Sequence, residues 1–141
     1  MTDRILVPYD ASEPARDALE YAITEYPDAD TTVVHVLPAP GGYWDAWEDP
    51  DVAVPGEDRA TERGETYLAD AEELAADHDV EIDTELEKGR PARVLVDAAE
   101  EGDYDLVVVG SHGREGVSRV LLGSVAETVV RRSPTPVVVV R

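Results

Sequence analysis

The chain has 141 residues, 43% of them hydrophobic, and carries 32 Asp+Glu against 12 Lys+Arg for a formal net charge of -20. That length and apolar content suit one domain, spanning residues 1–141, with a core that needs no disulfide or structural metal. The charge argues against a nucleic-acid-binding surface and an anionic membrane, and the absence of cysteine excludes disulfides, iron–sulfur clusters, thiolate zinc and thiol catalysis.

Met1-Thr2-Asp3-Arg4 shows no signal-peptide pattern and leads straight into a strand. Arg4 to Tyr9 is a short apolar run ending at Asp10, the pattern of a buried strand. Ser12 is placed to cap a following helix, with Pro14 in its first turn. Ala15, Ala18, Leu19, Ala22, Ile23 and Tyr26 then share one helical face. Thr31 to Leu37 is β-branched and strand-like. Pro38 to Asp58 reads as a long loop rich in Pro, Gly and Asp, a type that is often functional. A second helix is expected from about Arg59 to His78, and a third from Arg90-Pro91 to about Glu101. Between them, Val80 to Glu87 alternates apolar and acidic residues, as an exposed or edge strand does.

Asp105 to Gly110 reads as a buried strand, followed by a loop that carries Gly110, Ser111, His112, Gly113 and Arg114. A fourth helix begins near Ser124, with Leu122, Val125, Ala126, Val129 and Val130 assigned to its inner face. Ser133-Pro134-Thr135-Pro136 stops it, and Val137 to Val140 forms a last strand. Strands alternating with helices imply an α/β fold: a single open parallel sheet of five strands, covered on both faces and joined by right-handed crossovers.

Such sheets bind ligands beyond the carboxyl ends of their strands, where the strand order switches. Asp10, Val36, Gly110 to Gly113, and Gly123-Ser124 all fall there. Backbone N–H groups in a glycine loop and at a helix start can cradle phosphate. Ser124 adds a hydroxyl, as helix cap or phosphate donor, and His112 and Arg114 are the nearby cations. The plainer reading of these glycines is turns and helix packing. Gly123-Ser124 at the strand–loop–helix position tips the balance toward phosphate.

Gly110-x2-Gly113-x9-Gly123-Ser124 matches the nucleotide-binding motif of the universal stress protein family. The flanking Ser118 to Ala126 and Pro134 to Val140 resemble that family's C-terminal signature. Ile5 to Ser12 resembles its first strand and turn, His35-Val36 its second strand, and Gly89-Arg90-Pro91 the loop before its third helix. The resemblance implies a Rossmann-like fold, similar to that of adenine nucleotide α-hydrolases, with sheet order 3-2-1-4-5. It also implies a homodimer and ATP binding. Ala11 departs from it, since many members have glycine after the aspartate.

Carried over by position, the resemblance places Pro8 and Asp10 near the ribose and adenine, with main-chain groups of Val36 on the adenine edge. Gly110, Ser111, His112, Gly113 and Arg114 would wrap the ribose and phosphates. Gly123, Ser124 and Val125 would hold the phosphates, with Mg²⁺ offsetting the triphosphate charge. No protein ligand set for that ion is visible, so phosphate and water would supply its shell. Val137, Val138, Val139 and Val140 would form the dimer interface.

Other candidates read as structural. His35 is expected to be a packed or partner-bonded histidine and His78 a solvated one; three scattered histidines make no zinc spacing. Trp44 and Trp47 either shield a nucleotide, pack on a partner, or anchor the loop. Glu72-Glu73 and Glu100-Glu101 look like solvated helix faces. No carboxylate pair suits acid–base catalysis, and no catalytic residue is assigned.

Dispersed acid, a single lysine at position 88 and the absence of Phe resemble the composition of proteins from salt-loving cells; an ordinary acidic protein is the alternative. No apolar run is long enough to span a bilayer, so the expected location is the cytoplasm. The favoured function is an ATP-binding stress-response or signalling protein whose downstream partner the sequence leaves unnamed. A slow ATPase or autophosphorylating enzyme, with Ser124 or Ser111 as acceptor, is one alternative; it lacks a Walker lysine and an evident general base. A nucleotide-free dimeric interaction module is the other.

Overall fold

In a computed structural model of the chain, the described residues are 2–37, 47, 49, 51–111 and 123–141. Trp44, His112, Gly113, Arg114 and the segment 115–122 lie outside them. Five strands form the sheet: β1 (Arg4–Pro8), β2 (Asp30–Leu37), β3 (Asp83–Lys88), β4 (Leu106–Gly110) and β5 (Val137–Val140). The helices between them with described bounds are α1 (Glu13–Glu25), α2 (Glu57–Asp77), α3 (Pro91–Glu101) and α4 (Ser124–Arg132). The sheet is parallel throughout, in the order β3-β2-β1-β4-β5, as the resemblance implies.

Helix boundaries follow local chemistry. The Ser12 hydroxyl accepts from the Ala15 amide at 3.3 Å and caps α1, with Pro14 in the first turn. Pro91 opens α3 in the same way. Helix α2 begins at Glu57, two residues before the expected Arg59, and β3 begins at Asp83, later than the expected Val80. Val80 and Ile82 instead pack against the core just ahead of the strand.

Two apolar layers sandwich the sheet. Ile5, Val7, Val33 and Val108 pack against Ala18, Leu19 and Ala22 of α1 and Leu68 and Ala71 of α2. Leu6, Val34, Val107 and Val109 point the other way, against Leu95 and Ala99 of α3 and Ala126 and Val129 of α4. Continuous apolar strands are what a sheet buried on both faces requires. Strand β3 is an edge strand with alternating burial, as its sequence pattern predicts, and β5 forms the other edge, half-buried along its length.

Helix α4 needs two corrections. Val125 and Val130, assigned to its inner face, are 37% and 43% exposed; only Ala126 and Val129 are buried among its residues. Over a helix of nine residues the buried stripe is narrow, and Val125 and Val130 fall outside it. Gly123 occupies the cap position and Ser124 is the first helical residue, so Ser124 is not the N-cap; among the described residues no side chain caps this helix.

The tryptophan question is resolved for Trp47. It is fully buried, donates its indole N–H to the Leu37 carbonyl at 2.7 Å, and packs with Leu37 and Val54. It anchors the long connection to the end of β2. Among the described residues no helix is long and apolar enough to cross a membrane.

Candidate functional site

Strand β1 sits between β2 and β4, and the connections β1–β2 and β4–β5 run toward opposite edges of the sheet. The connection after β1 enters α1 on one face, and the connection after β4 enters α4 on the other. The carboxyl ends of β1 and β4 are thus the switch point, where sheets of this class have their crevice. Pro8 and Asp10 come to one side of it, and Gly110, Ser111, Gly123, Ser124 and Val125 to the other.

The two ends of the glycine loop are joined directly. The Gly123 amide donates to the Ser111 carbonyl at 2.7 Å, while the Ser111 amide donates to the Val140 carbonyl at 3.0 Å. The Gly123 carbonyl accepts from the Glu127 amide at 2.9 Å and starts the helix. The amides of Ser124, Val125 and Ala126 therefore stand in the first turn of α4, where a helix has no acceptors of its own for them. They lie at the positive end of the helix dipole.

Gly110 has a packing role that the sequence alone does not separate from ligand approach. A Cβ there would lie 2.7 Å from both the carbonyl carbon and the oxygen of Pro14. Its glycine is required where α1 crosses the end of β4.

The turn after β1 is tightly specified. The Asp10 carboxylate accepts from the Ser12 amide at 3.0 Å, and Ala11 between them is left-handed at φ 58. That dihedral accounts for glycine being common at this position in the resembling family, since an L side chain is strained there. Asp10 is thus pinned at the mouth of the crevice by its own local turn.

Val36 lies on β2 two positions past Val34, which is the register partner of Pro8 at the end of β1. The Val34 carbonyl accepts from Tyr9, whereas the Leu37 carbonyl accepts from Gly89 on the β3 side. Peptide groups alternate sides along a strand, so those of Val36 face the β1 side, beyond the end of that strand. They border the crevice from its far wall.

Behind it lies a polar cluster that sequence reading missed. The Tyr9 hydroxyl donates to Asp70 of α2, and Arg16 of α1 donates to both oxygens of the same carboxylate at 2.6 and 2.5 Å. Burial, then the bond to Asp70, holds the Tyr9 phenol well above its ordinary pKa, so it remains a donor. The hydrogen bond to Asp70 likewise raises the Arg16 pKa. His35 donates its Nδ1 proton to the Tyr9 carbonyl at 2.7 Å and sets its ring edge-on to Tyr67 at 5.1 Å. His35 is therefore a partner-bonded strand histidine, as expected, and it helps fix the backbone next to Asp10. Residues Tyr9, Arg16 and Asp70 share no periodicity or motif, and nothing local marks them as neighbours.

His78 is exposed at the end of α2, where its Nδ1 proton goes to the Leu74 carbonyl at 3.0 Å. Among the described residues no group of three or more acidic or histidine side chains is arranged to hold a metal ion. Val137 to Val140 lie on the outer edge, and their link to the site is the Ser111–Val140 hydrogen bond.

A parallel 3-2-1-4-5 sheet with a glycine-bearing crevice at its switch point defines a Rossmann-like class of nucleotide-site folds. The chain belongs to the universal stress protein family, which it matches over residues 1–141. It is 32% identical to a universal stress protein of Methanocaldococcus jannaschii, over 98% of this chain and 81% of that one. The solved structure of the hypothetical protein MJ0577 superposes with a TM-score of 0.82 at 27% identity, covering 99% of this chain and 96% of the other. A universal stress protein solved in complex with cAMP superposes with a TM-score of 0.73 at 27% identity, covering 99% and 97%.

Proposed function

We propose that this universal stress protein binds ATP in the crevice between β1 and β4 and acts as a cytoplasmic stress-response or signalling protein. The observation that carries the reading is the Ser111–Gly123 hydrogen bond, which sets the first-turn amides of α4 beside the end of β4. Amides of Ser124 to Ala126 and the exposed Ser124 side chain suit an anionic chain of phosphates. Pro8, Asp10 and the peptide groups of Val36 border the space left for ribose and adenine. His112, Gly113 and Arg114 complete the motif and are assigned to the ribose and phosphates. A similar protein that holds cAMP supports an adenine nucleotide as the ligand class. Mg²⁺ fits as a partner of the phosphates, with its shell from phosphate and water.

In this proposal the protein works as a homodimer. Strand β5 offers an unpaired parallel-sheet edge of four valines. Antiparallel pairing with a second copy would cover it under two-fold symmetry. The Ser111–Val140 bond joins that edge to the nucleotide loop. Light scattering of wild type is expected to give a dimer, and Val138→Asp with Val140→Asp a monomer; a monomeric wild type overturns the dimer.

The nucleotide reading is tested by mass spectrometry of ligand released from purified protein, followed by calorimetry with ATP and MgCl₂. Release of an adenine nucleotide supports binding, and steady phosphate production from ATP would turn the assignment to a slow ATPase. Absence of both released nucleotide and ATP affinity at millimolar ligand leaves a nucleotide-free interaction module.

A further inference from the structure

Tyr9 is the first residue beyond β1 and stands directly before Asp10. Its amide donates to the Val34 carbonyl of β2 at 2.8 Å, and its carbonyl accepts from His35 Nδ1 of the same strand at 2.7 Å. Its phenol reaches the other way, to α2, and donates to Asp70. Asp70 is held in turn by Arg16 of α1, whose Nη1 donates to both carboxylate oxygens at 2.6 and 2.5 Å. One residue is thus tied to β2, to α2 and, through Asp70, to α1.

Stability alone does not call for this arrangement. The Arg16 and Asp70 side chains are 42% and 34% exposed, and an ion pair that open to water adds little. The Tyr9 ring is 3% exposed, within the apolar layer that α1 and α2 form on the sheet. A phenylalanine would fill the same space and bring no hydroxyl that must be satisfied. What the phenol and the carboxylate add is a defined position, because a hydrogen-bonded network selects one arrangement where apolar packing accommodates several.

That position passes to Asp10. Consecutive Cα atoms are about 3.8 Å apart across a planar peptide, so a shift of Tyr9 carries Asp10 with it. The carboxylate bond to the Ser12 amide at 3.0 Å and the left-handed Ala11 shape the turn, and Tyr9 places it on the sheet. The phosphate side of the crevice is held by other contacts, among Ser111, Gly123 and Val140. We infer that Asp70, acting through the Tyr9 phenol and steadied by Arg16, is a positioning residue for the nucleoside half of the crevice. It sets where Asp10 stands, and so the affinity for ribose and base, without touching the ligand. The inference rests on the nucleotide reading above, but Arg16 and Asp70 lie outside the glycine motif on which that reading is built.

The test compares two ligands by calorimetry in MgCl₂: ATP, and tripolyphosphate, which has no nucleoside. Tyr9→Phe and Asp70→Ala are each expected to lower ATP affinity about tenfold, the scale of one lost hydrogen bond to a charged group. Tripolyphosphate affinity is expected to stay at the wild-type value in both. Asp70→Asn keeps an acceptor for the phenol and is expected to recover most of the ATP affinity that Asp70→Ala loses. Glu72→Ala, an exposed carboxylate on the same helix, is expected to change neither. In the ligand-free chain, hydrogen exchange at the Ser12 amide, which Asp10 holds, is expected to quicken several-fold in Tyr9→Phe and Asp70→Ala. A brace that only stabilises the fold would lower the melting temperature and leave the ratio of ATP to tripolyphosphate affinity as in wild type, which would overturn the proposal. Unchanged Ser12 exchange in both variants would overturn it as well. A wild type that binds neither ligand would overturn the nucleotide reading instead, and the Ser12 exchange would still decide whether Asp70 places Asp10.

Discussion

The amide of Gly123 donates to the carbonyl of Ser111 at 2.7 Å, closing the base of the loop that separates β4 from α4. Gly123 itself has φ -64 and ψ 157, a conformation open to any residue, yet it is buried. Its dihedrals do not call for glycine.

Those dihedrals set the first prediction. Gly123→Val is expected to abolish ATP binding by filling the approach to the α4 amides, with the fold retained by circular dichroism. Ser124→Ala is expected to cost about 1–2 kcal/mol of binding, the loss of one hydrogen bond to a charged group. Calorimetry with MgCl₂ ranks wild type, Ser124→Ala and Gly123→Val in that order. Equal affinity for Gly123→Val and wild type would remove the phosphate site from this loop.

Gly110→Ala acts on stability. Its Cβ would sit 2.7 Å from backbone atoms of Pro14, so α1 must shift. Destabilisation of about 1–3 kcal/mol is expected, the usual range for overpacking. Urea unfolding with an unchanged midpoint would contradict the close crossing.

Ala11→Gly should go the other way. Ala11 holds φ 58, where a Cβ is strained. Relief of that strain outweighs the extra freedom glycine gives the unfolded chain, for a gain of up to about 1 kcal/mol. A clear loss of stability on thermal unfolding would count against the left-handed turn.

Asp105 gives the pH prediction. Its carboxylate accepts from the amides of Asp3 at 2.9 Å and Arg4 at 3.0 Å, tying the start of β1 to the turn before β4. Those two bonds hold its pKa below the ordinary 3.8. A lowered folded pKa means a stabilising contribution that is complete above 3.8 and is lost as pH falls through the lower folded value. Asp105→Ala should therefore be less stable than wild type at neutral pH, with the gap closing in acid below that range. A gap that stays constant down to the acid transition would refute the linkage.

Salt is the last variable. With a formal net charge of -20, the folded chain repels itself until counterions screen it. The melting temperature is expected to rise from low to molar KCl. A flat or falling profile would assign the composition to an ordinary acidic protein.

Much of this protein was legible in the residues themselves because the signals are local. Periodicity marks the alternation of strand and helix, Ser12 and Pro14 mark the start of α1, and the glycine spacing around Gly110 and Gly123 marks the loop after β4. The family resemblance extends that to strand order. What only the tertiary structure decided are contacts between distant segments. Trp47 had no preferred role until its indole met Leu37 and the space beside Val54. The close packing of Gly110 on Pro14 appears only once α1 is set against β4, and Val125 reads as core until the narrow stripe of α4 leaves it exposed. Tyr9 and Asp70 are 61 positions apart, and only the folded chain leaves the Thr31 hydroxyl buried without a partner among the described residues. Propensity and spacing act within a few residues along the chain, whereas burial and hydrogen-bond satisfaction depend on which elements the finished sheet brings together.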